Sequence, residues 1–587
     1  MEADILFEVS YEVCNKVGGI YTVISSKAAL MKKNYEHYFL IGPYFKDKAE
    51  IDFQEEEPPS YLTNAFDVVK QHGIIAHYGT WLIKGSPKTI LLEFWALSGR
   101  RDEMKKTLWE KFRLDSLKAG PDFDEPLLLS YAAALLIHAV EKEKSQKILV
   151  HTHEWMTGMT GLILRTMDSS SRHVFTTHAT MLGRALSGSG RDLYAELDSL
   201  DPPAEADRSN VTAKFSAERI CAHDADAFTT VSKITGMESE KILDKKPDVL
   251  LLNGLDMHQF PSFEQCALQH STLKRRYQEF YSYYFGPYYK MNVKNTLTFF
   301  MAGRNEYRNK GMDITTEALA RLNQELKKKG SARNVVCFFF IPMDHHGPRE
   351  DVLQNKVYFR NLRHFVHRNF KDADAWIIQN ILDGEDIDIS GIVPESFHPK
   401  AKRLRRSLLR NGTPPLCSHQ IDDEGSNQIL RSFRDHGLRN EEQDKVKVIL
   451  YPVYLNGVDG LLDMDYYEAI MGSHLGLFPS YYEPWGYTPL ETAALGVPAI
   501  TSDLSGFGQH LYTQMNHDEY PGIFVLPRLG ISEEETISTY TRLLLLCTEF
   551  SHRQRVENKI AAKHLAHTAD WNIFIKNYLA AHSRALK

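Results

Sequence analysis

Two carboxylates in a loop crowded with aromatic residues are the most chemically suggestive feature of the sequence. They are Glu483 and Glu491 in Phe478-Pro479-Ser480-Tyr481-Tyr482-Glu483-Pro484-Trp485-Gly486-Tyr487-Thr488-Pro489-Leu490-Glu491. The segment follows an apolar LGLF run, and Pro489 sits where the first helical position is expected before ETAALG. Such a helix start leaves the N–H groups around Tyr487 and Thr488 free to cradle a diphosphate. Glu483 falls in the irregular part and Glu491 one turn into the helix, so the two need not share a face or a task. Loops this rich in Trp, Tyr and Pro are seldom mere linkers, although aromatic packing beneath a loop is the plainer reading.

Cations supply a second signal. Gly303-Arg304 follows the run TLTFFMA, and Lys310-Gly311 precedes an amphipathic helix starting near Met312. A guanidinium and an ammonium converging on one loop suit the two phosphates of a sugar nucleotide, though spacing alone fits solvated surface charges better. Lys16-Val17-Gly18-Gly19 lies between the run ILFEVSYEV and a helix beginning near Ile20. Adjacent glycines allow close backbone approach, and the helix terminus offers N–H groups to an anion. The segment lacks the dinucleotide GxGxxG spacing and the GKT/GKS ending of a phosphate loop, so a plain tight turn fits it equally well. Two polar clusters, His151-Thr152-His153-Glu154-Trp155 and Thr177-His178-Ala179-Thr180-Met181-Leu182-Gly183-Arg184, each follow an apolar run. His151 and His153 are read as pointing to opposite sides of their strand, no HExxH occurs, and His345-His346 has no partners, so no metal site is expected.

These clusters must be held by something, and each lies where a strand gives way to a helix. DILFEV, HYFLIGPY, KILVHT, HVFTTH, AFTTV and DVLLLN read as buried strands, with helical patterns at Ile20–Lys33, Leu127–Glu141 and Ile234–Asp244. The rhythm restarts with TLTFFMAG, NVVCFFFI, VKVILYP, LGLFPS and VPAITS. The prediction is an α/β fold with two Rossmann-like domains, 1–255 and 256–555, facing a cleft beyond the carboxyl ends of their strands. The charged stretch at about 344–444 reads as a helical insertion in the second domain. The chain reads as helical beyond Glu533, and helices in 556–587 are expected to pack back on the N-terminal domain.

Composition bounds the function classes. A chain of 587 residues with 43% hydrophobic and 25% charged residues is an ordinary globular, multidomain protein rather than a disordered or coiled-coil one. Its formal net charge of −7 provides no basic field for nucleic acid or an anionic membrane. The N-terminus has no signal-peptide pattern, and the most apolar window, Pro126 to Val140, reads as too short to span a bilayer. Six scattered cysteines without a CxxC pair suit reduced thiols, and a cytoplasmic protein is expected.

The segments EVCNKVGGIYTV, HEWMTG, FTTHATMLGR, DAFTTVSKIT, LLNGLD, AGRNEYRNKG and FPSYYEPWGYTPLE occur in the order and spacing of the glycogen synthases of the animal and fungal type. The sequence resembles that family over nearly its whole length. The resemblance implies a GT-B architecture and transfer of glucose from UDP-glucose to the non-reducing end of an α-1,4-glucan such as glycogen, with retention. It implies no metal or other cofactor, and a homotetramer built on the insertion. It places Arg304 and Lys310 on the UDP diphosphate, Glu483 near the transferred glucose and Glu491 toward the ribose. Tyr466, in MDYYEAI, matches an aromatic residue stacked on uracil. Lys16, beside Gly18 and Gly19, matches a donor-contacting cation, and His178 and Arg184 match donor-side residues. The family's Arg-rich helix for glucose 6-phosphate aligns with HRQRVENKIAAKHLAHTADW, which offers Arg553, Arg555, Lys559 and Lys563. Lysine holds phosphate less specifically than a bidentate guanidinium, so weak or absent activation is expected. A glycosyltransferase with another acceptor and a non-catalytic glucan-binding scaffold are the competing readings. The joint presence of Glu483, Arg304, Lys310 and His178 argues against the scaffold, and a Rossmann dehydrogenase lacks its fingerprint.

Overall fold

The computed structural model describes residues 3–143, 146–371, 373–386, 393, 397–512 and 520–587. Among them the chain forms two sheets. The first holds β1 (Ile5–Val9), β2 (His37–Pro43), β3 (Phe53–Glu55), β4 (Ile75–Trp81), β5 (Lys88–Glu93), β6 (Ile148–His153), β7 (Arg172–Thr177), β8 (Ala227–Thr230) and β9 (Val249–Leu250), in the order β3-β4-β5-β2-β1-β6-β7-β8-β9. The second holds β10 (Thr296–Ala302), β11 (Asn334–Phe340), β12 (Val446–Tyr451), β13 (Leu475–Phe478), β14 (Ala499–Ser502) and β15 (Ile523–Leu526), ordered β12-β11-β10-β13-β14-β15. The second sheet is parallel throughout; the first is parallel except where β4 pairs antiparallel with β3 and β5.

Continuous apolar runs explain why these segments are strands buried on both faces. β1 (ILFEV), β10 (TLTFFMA) and β12 (VKVILY) are buried at every position, as a parallel sheet covered by helices requires. β3, β4, β5 and β15 escaped the sequence reading, and DVLLLN contributes only a two-residue strand. The antiparallel β4 starts exposed at Ile75 and is buried only from Tyr78 to Trp81, where Gly79 and Thr80 interrupt the apolar run that marks the other strands.

The window read as Pro126–Val140 belongs to a 23-residue helix, Pro121–Glu143, which by length and composition alone is apolar enough to cross a membrane. Length does not exclude it, contrary to the sequence reading; the helix is mostly buried, with Leu127, Ala133 and Ile137 in the core of the first sheet. On the second sheet, Tyr277, Phe280 and Tyr281 of the Phe263–Tyr284 helix pack around Phe338 of β11, and Tyr284 stacks on Phe280. The 344–444 stretch is not a single insertion: Val352 and Phe359 of the helix Glu350–Asn369 pack against the Phe263–Tyr284 helix, and Phe433 of Gln428–Asp435 is buried against Phe339 of β11, while Ala373–Asp383 and Phe397–Leu408 lie further out.

At the C-terminal end, the helix His552–His567 packs on Tyr487–Ala494 of the second half, and Trp571–Ala585 crosses to lie on Gly19–Asn34, β7, β8 and β9 of the first. Trp571, Phe574 and Tyr578 share a core with Leu6, Ile24 and Leu149, and Trp571 Nε1 donates to Ser26 Oγ at 2.7 Å. Trp571→Ala is therefore expected to cost about 3–5 kcal/mol, the usual range for emptying a buried aromatic site. Chemical denaturation followed by N-terminal fluorescence checks this; a loss under about 1 kcal/mol would show that the last helix is not part of that core.

Candidate active site

The loops at the carboxyl ends of the two sheets meet. Gly311, at φ +70, begins the Met312–Lys328 helix in the left-handed region, and a Cβ there would stand 2.2 Å from the carbonyl oxygen of Pro479. Only glycine permits this approach. It brings Lys310 beside the aromatic loop, where Lys310 Nζ pairs with Glu483 Oε2 and the two side chains are 15% and 20% exposed. Arg304 stands further out, 66% exposed, with its Nη2 3.0 Å from Glu306 Oε1.

The Tyr487–Ala494 helix starts from Gly486, at φ +108, with no side-chain cap. Pro489 is therefore the third helical residue, not the first as the sequence suggested. It has no N–H, so the orphan donors of the first turn are those of Tyr487 and Thr488. Glu491 is buried deeply enough to be pushed up to about 7, with Tyr467 Oη 3.4 Å from its Oε1 and Lys16 opposing the rise. Tyr466 packs at 5.6 Å from the Tyr467 ring, and its hydroxyl is buried without a hydrogen-bond partner. Lys16 lies over the Tyr21 ring at 5.8 Å.

The glycine pair corrects one expectation. The Gly19–Asn34 helix does not present an open anion site at Gly18, because Glu12 Oε2 accepts from the N–H groups of Gly18 and Tyr21, both at 2.8 Å. A side chain of the protein takes the place assigned to a ligand. A Cβ on Gly19 would meet open space, whereas one on Gly18 would stand 3.1 Å from Glu12 Oε1.

Across the cleft, β6 and β7 deliver His153, Glu154, His178 and Arg184. Glu154 adopts φ +64, a strained conformation for a side chain, and its Oε1 accepts from the N–H groups of His178 and Ala179, both at 3.1 Å. Burial, opposed mainly by Arg184, pushes Glu154 up to about 7. Arg184 senses Tyr482, Glu154, Glu306 and Glu483 together, so its charge sits between carboxylates of both halves. In the sequence Glu154 is one member of a polar cluster, and its place immediately after a predicted strand is the signal that marks it.

His151 and His153 lie on the same side of β6, since residues two apart in a strand share a face. Their rings stack with centroids 4.4 Å apart, which overturns the opposite-sides reading. Among the described residues, Glu8, His151 and His153 bring potential metal-ligand atoms within 4.8 Å of one another. All are engaged: His151 with Thr176 and His582, His153 with His178 and Glu8, and Glu8 additionally with Lys27 and Tyr38.

Residues next to Glu483 join the halves. Tyr482 Oη donates to Glu238 Oε2 at 3.1 Å, Tyr481 Oη to Asp192 Oδ1 at 2.7 Å, and Ser187 Oγ to Asn309 Oδ1 at 2.7 Å. Glu238, pushed up to about 7 by burial, also accepts from Thr180 and Tyr194.

The four cations of the His552–His567 helix are not one cluster. Arg553 is 89% exposed and paired with Glu557, and Lys563 donates to the carbonyls of Pro261 and Ala494 at 2.6 Å each. Arg555 and Lys559 instead line a cavity of about 360 Å³ with Lys274, His270 and His474. Burial first, and then Lys274 and Arg555, bring Lys559 down to about 7.

The family model for glycogen synthase matches residues 8–587. The glycogen (starch) synthase isoform 2 of Saccharomyces cerevisiae is 34% identical over 611 residues, covering 100% of this chain and 87% of its own. The liver glycogen (starch) synthase of Mus musculus is 36% identical over 586 residues, covering 99% of this chain and 83% of its own. Among solved structures, the catalytic domain of starch synthase IV from Arabidopsis thaliana, bound to ADP and acarbose, shares the GT-B architecture with TM-score 0.53 and 13% identity over 99% of both chains. The two facing sheets, the matched segments and full-length identity together establish that this chain belongs to the glycogen synthase family.

Proposed function

We propose that the protein transfers glucose from UDP-glucose to the non-reducing end of an α-1,4-glucan, with retention and without a metal. The observation that carries this reading is the meeting of Lys310, Glu483 and an uncapped helix start on one side of the cleft with His178 and Arg184 on the other. Breaking the anomeric C–O bond puts negative charge on the leaving diphosphate and positive charge on the ring. Arg304, Lys310 and the N–H groups of Tyr487 and Thr488 supply fixed positive charge for the first. Lys310 is largely shielded, so its field is weakened less by water than that of a surface lysine. Retention is read as front-face attack assisted by the leaving phosphate rather than through a covalent glycosyl-enzyme, with Glu483 holding Lys310 in place for the diphosphate. In this reading Glu491, beside Lys16, takes the ribose and Tyr466 the uracil.

The cavity containing Arg555, Lys559 and Lys274 is proposed to take a phosphate monoester such as glucose 6-phosphate. With one guanidinium among its cations, its response is expected to be weak. Self-association through the insertion is supported by Ile378, Ile381 and Leu382, which are 58%, 60% and 73% exposed on one helix. The six cysteines are free and buried, which suits a cytoplasmic setting.

Labelled glucose from UDP-glucose is expected to enter glycogen equally with and without EDTA; no incorporation would move the reading to another acceptor. Arg304→Ala and Lys310→Ala should each lower kcat/KM about 100-fold, or ~3 kcal/mol, and near-normal turnover in both would remove them from the mechanism. Lys559 is protonated below about pH 7 and neutral above it, so anion affinity should fall as pH rises through that value. Calorimetry with glucose 6-sulfate, whose charge is constant, should show several-fold tighter binding at pH 6 than at pH 8, and Lys559→Met should abolish the difference. Light scattering should report an oligomer that Ile381→Glu with Leu382→Glu dissociates; a single-chain mass for the unaltered protein would refute the self-association.

A further inference from the structure

His178 is held from behind. Its Nε2 lies 2.9 Å from Nδ1 of His153, and Nε2 of His153 lies 2.6 Å from Oε1 of Glu8. Glu8 also accepts from the Lys27 ammonium and the Tyr38 hydroxyl. Four elements contribute: Glu8 from β1, Tyr38 from β2, His153 from β6 and Lys27 from the Gly19–Asn34 helix. Glu8 and Lys27 are fully buried, His153 is 1% exposed and His178 is 7% exposed.

The direction of each hydrogen bond follows from the charge states. Burial alone would raise Glu8, but Lys27, and then the bond from His153, hold it well below the ordinary carboxylate range. Burial drives both His153 and His178 down, so the two rings are neutral. An ionised carboxylate can only accept, so the proton of His153 must sit on Nε2. Its Nδ1 must then accept, and His178 must donate from Nε2. That leaves Nδ1 of His178 as a bare lone pair, and among the described residues it has no hydrogen-bond partner.

We propose that Glu8 and His153 are positioning residues that act through His178, locking it in the tautomer that offers a hydrogen-bond acceptor to the sugar of the donor. The inference rests on the reading above, in which His178 faces that sugar. A lone pair aimed at a ring that gains positive charge stabilises the transition state more than the ground state, whereas an N–H there opposes it. Loss of the lock should therefore lower kcat more than it raises KM. Lys27 keeps Glu8 ionised, and its ammonium lies over the Tyr578 ring at 5.2 Å. The neighbouring His151–His582–Tyr35 hydrogen bonds flank the relay without entering it.

Glu8→Gln alone leaves Lys27 buried and unpaired and threatens folding, so the test uses Glu8→Gln with Lys27→Met, which removes both charges together, and separately His153→Phe. In protein labelled with ¹⁵N-histidine, with the His178 signals assigned by their loss in His178→Gln, the unaltered chain should show a protonated Nε2 and a bare Nδ1. Both altered chains should show a mixture of tautomers. A protonated Nδ1 in the unaltered chain would overturn the proposal. In a double-mutant cycle, the Glu8→Gln, Lys27→Met pair should lower kcat roughly tenfold or more when His178 is present and less than about twofold when it is Gln. Equal losses in both backgrounds would mean that Glu8 does not act through His178. If the unaltered protein does not turn over UDP-glucose, the functional reading fails while the tautomer measurement still decides the lock.

Discussion

The two halves are held in register by the hydroxyl groups of Tyr481 and Tyr482, together with the Ser187–Asn309 bond and the apolar core that both halves share. Both tyrosines belong to the loop after β13, yet their acceptors, Asp192 and Glu238, belong to the other half. Such hydrogen bonds contribute roughly 0.5–3 kcal/mol each, depending on whether the acceptor is ionised, a useful share of what holds two domains in register when relative motion is the default. Glu483 is the next residue. Its position relative to His178 is therefore set by side chains that never need to touch a substrate, and the cleft is assembled only while this seam is closed.

The seam also divides the electrostatics. Arg304 and Lys310 stand on the side of the second sheet, while Glu154, Glu218 and Glu238 lie buried beneath the first, each raised above the ordinary carboxylate range chiefly by burial. Burying carboxylates is costly, and this half adds the strained backbone of Glu154. Such concentrations of unfavourable terms are tolerated where surrounding structure over-determines them, and here β6, β7 and the helix at Met181 do so.

Much of this was legible in the sequence. The continuous apolar runs of β1, β2, β6, β7 and β10 to β14 announced two parallel sheets, and the polar clusters after them marked the cleft. What was not legible depends on partners distant in sequence. Nothing in Lys16-Val17-Gly18-Gly19 shows that Glu12 folds back onto the Gly18 N–H, and nothing in the last cationic helix shows that Lys563 is consumed by two backbone carbonyls while Lys559 turns inward beside Lys274. β3 (FQE) and β4 (IAHYGTW) were missed because they carry no continuous apolar run, whereas β5 (KTILLE) and β15 (IFVL) carry short ones that the reading passed over. His151 and His153 failed for a different reason: the period of a strand already places them on one face, and their stacking follows from it.

The helix Trp571–Ala585 completes a core that begins with Ala3 and Leu6. On the ribosome, the strands of the first sheet emerge early, but the apolar face that Trp571, Phe574 and Tyr578 will cover stays open while everything from Leu251 to Asp570 is added. At about 5–20 residues per second that interval is on the order of 15–60 s. The first half is thus obliged to wait as a partly finished body, sticky on one side, until the second half has been made, and chaperone demand during synthesis is written into the path of the chain.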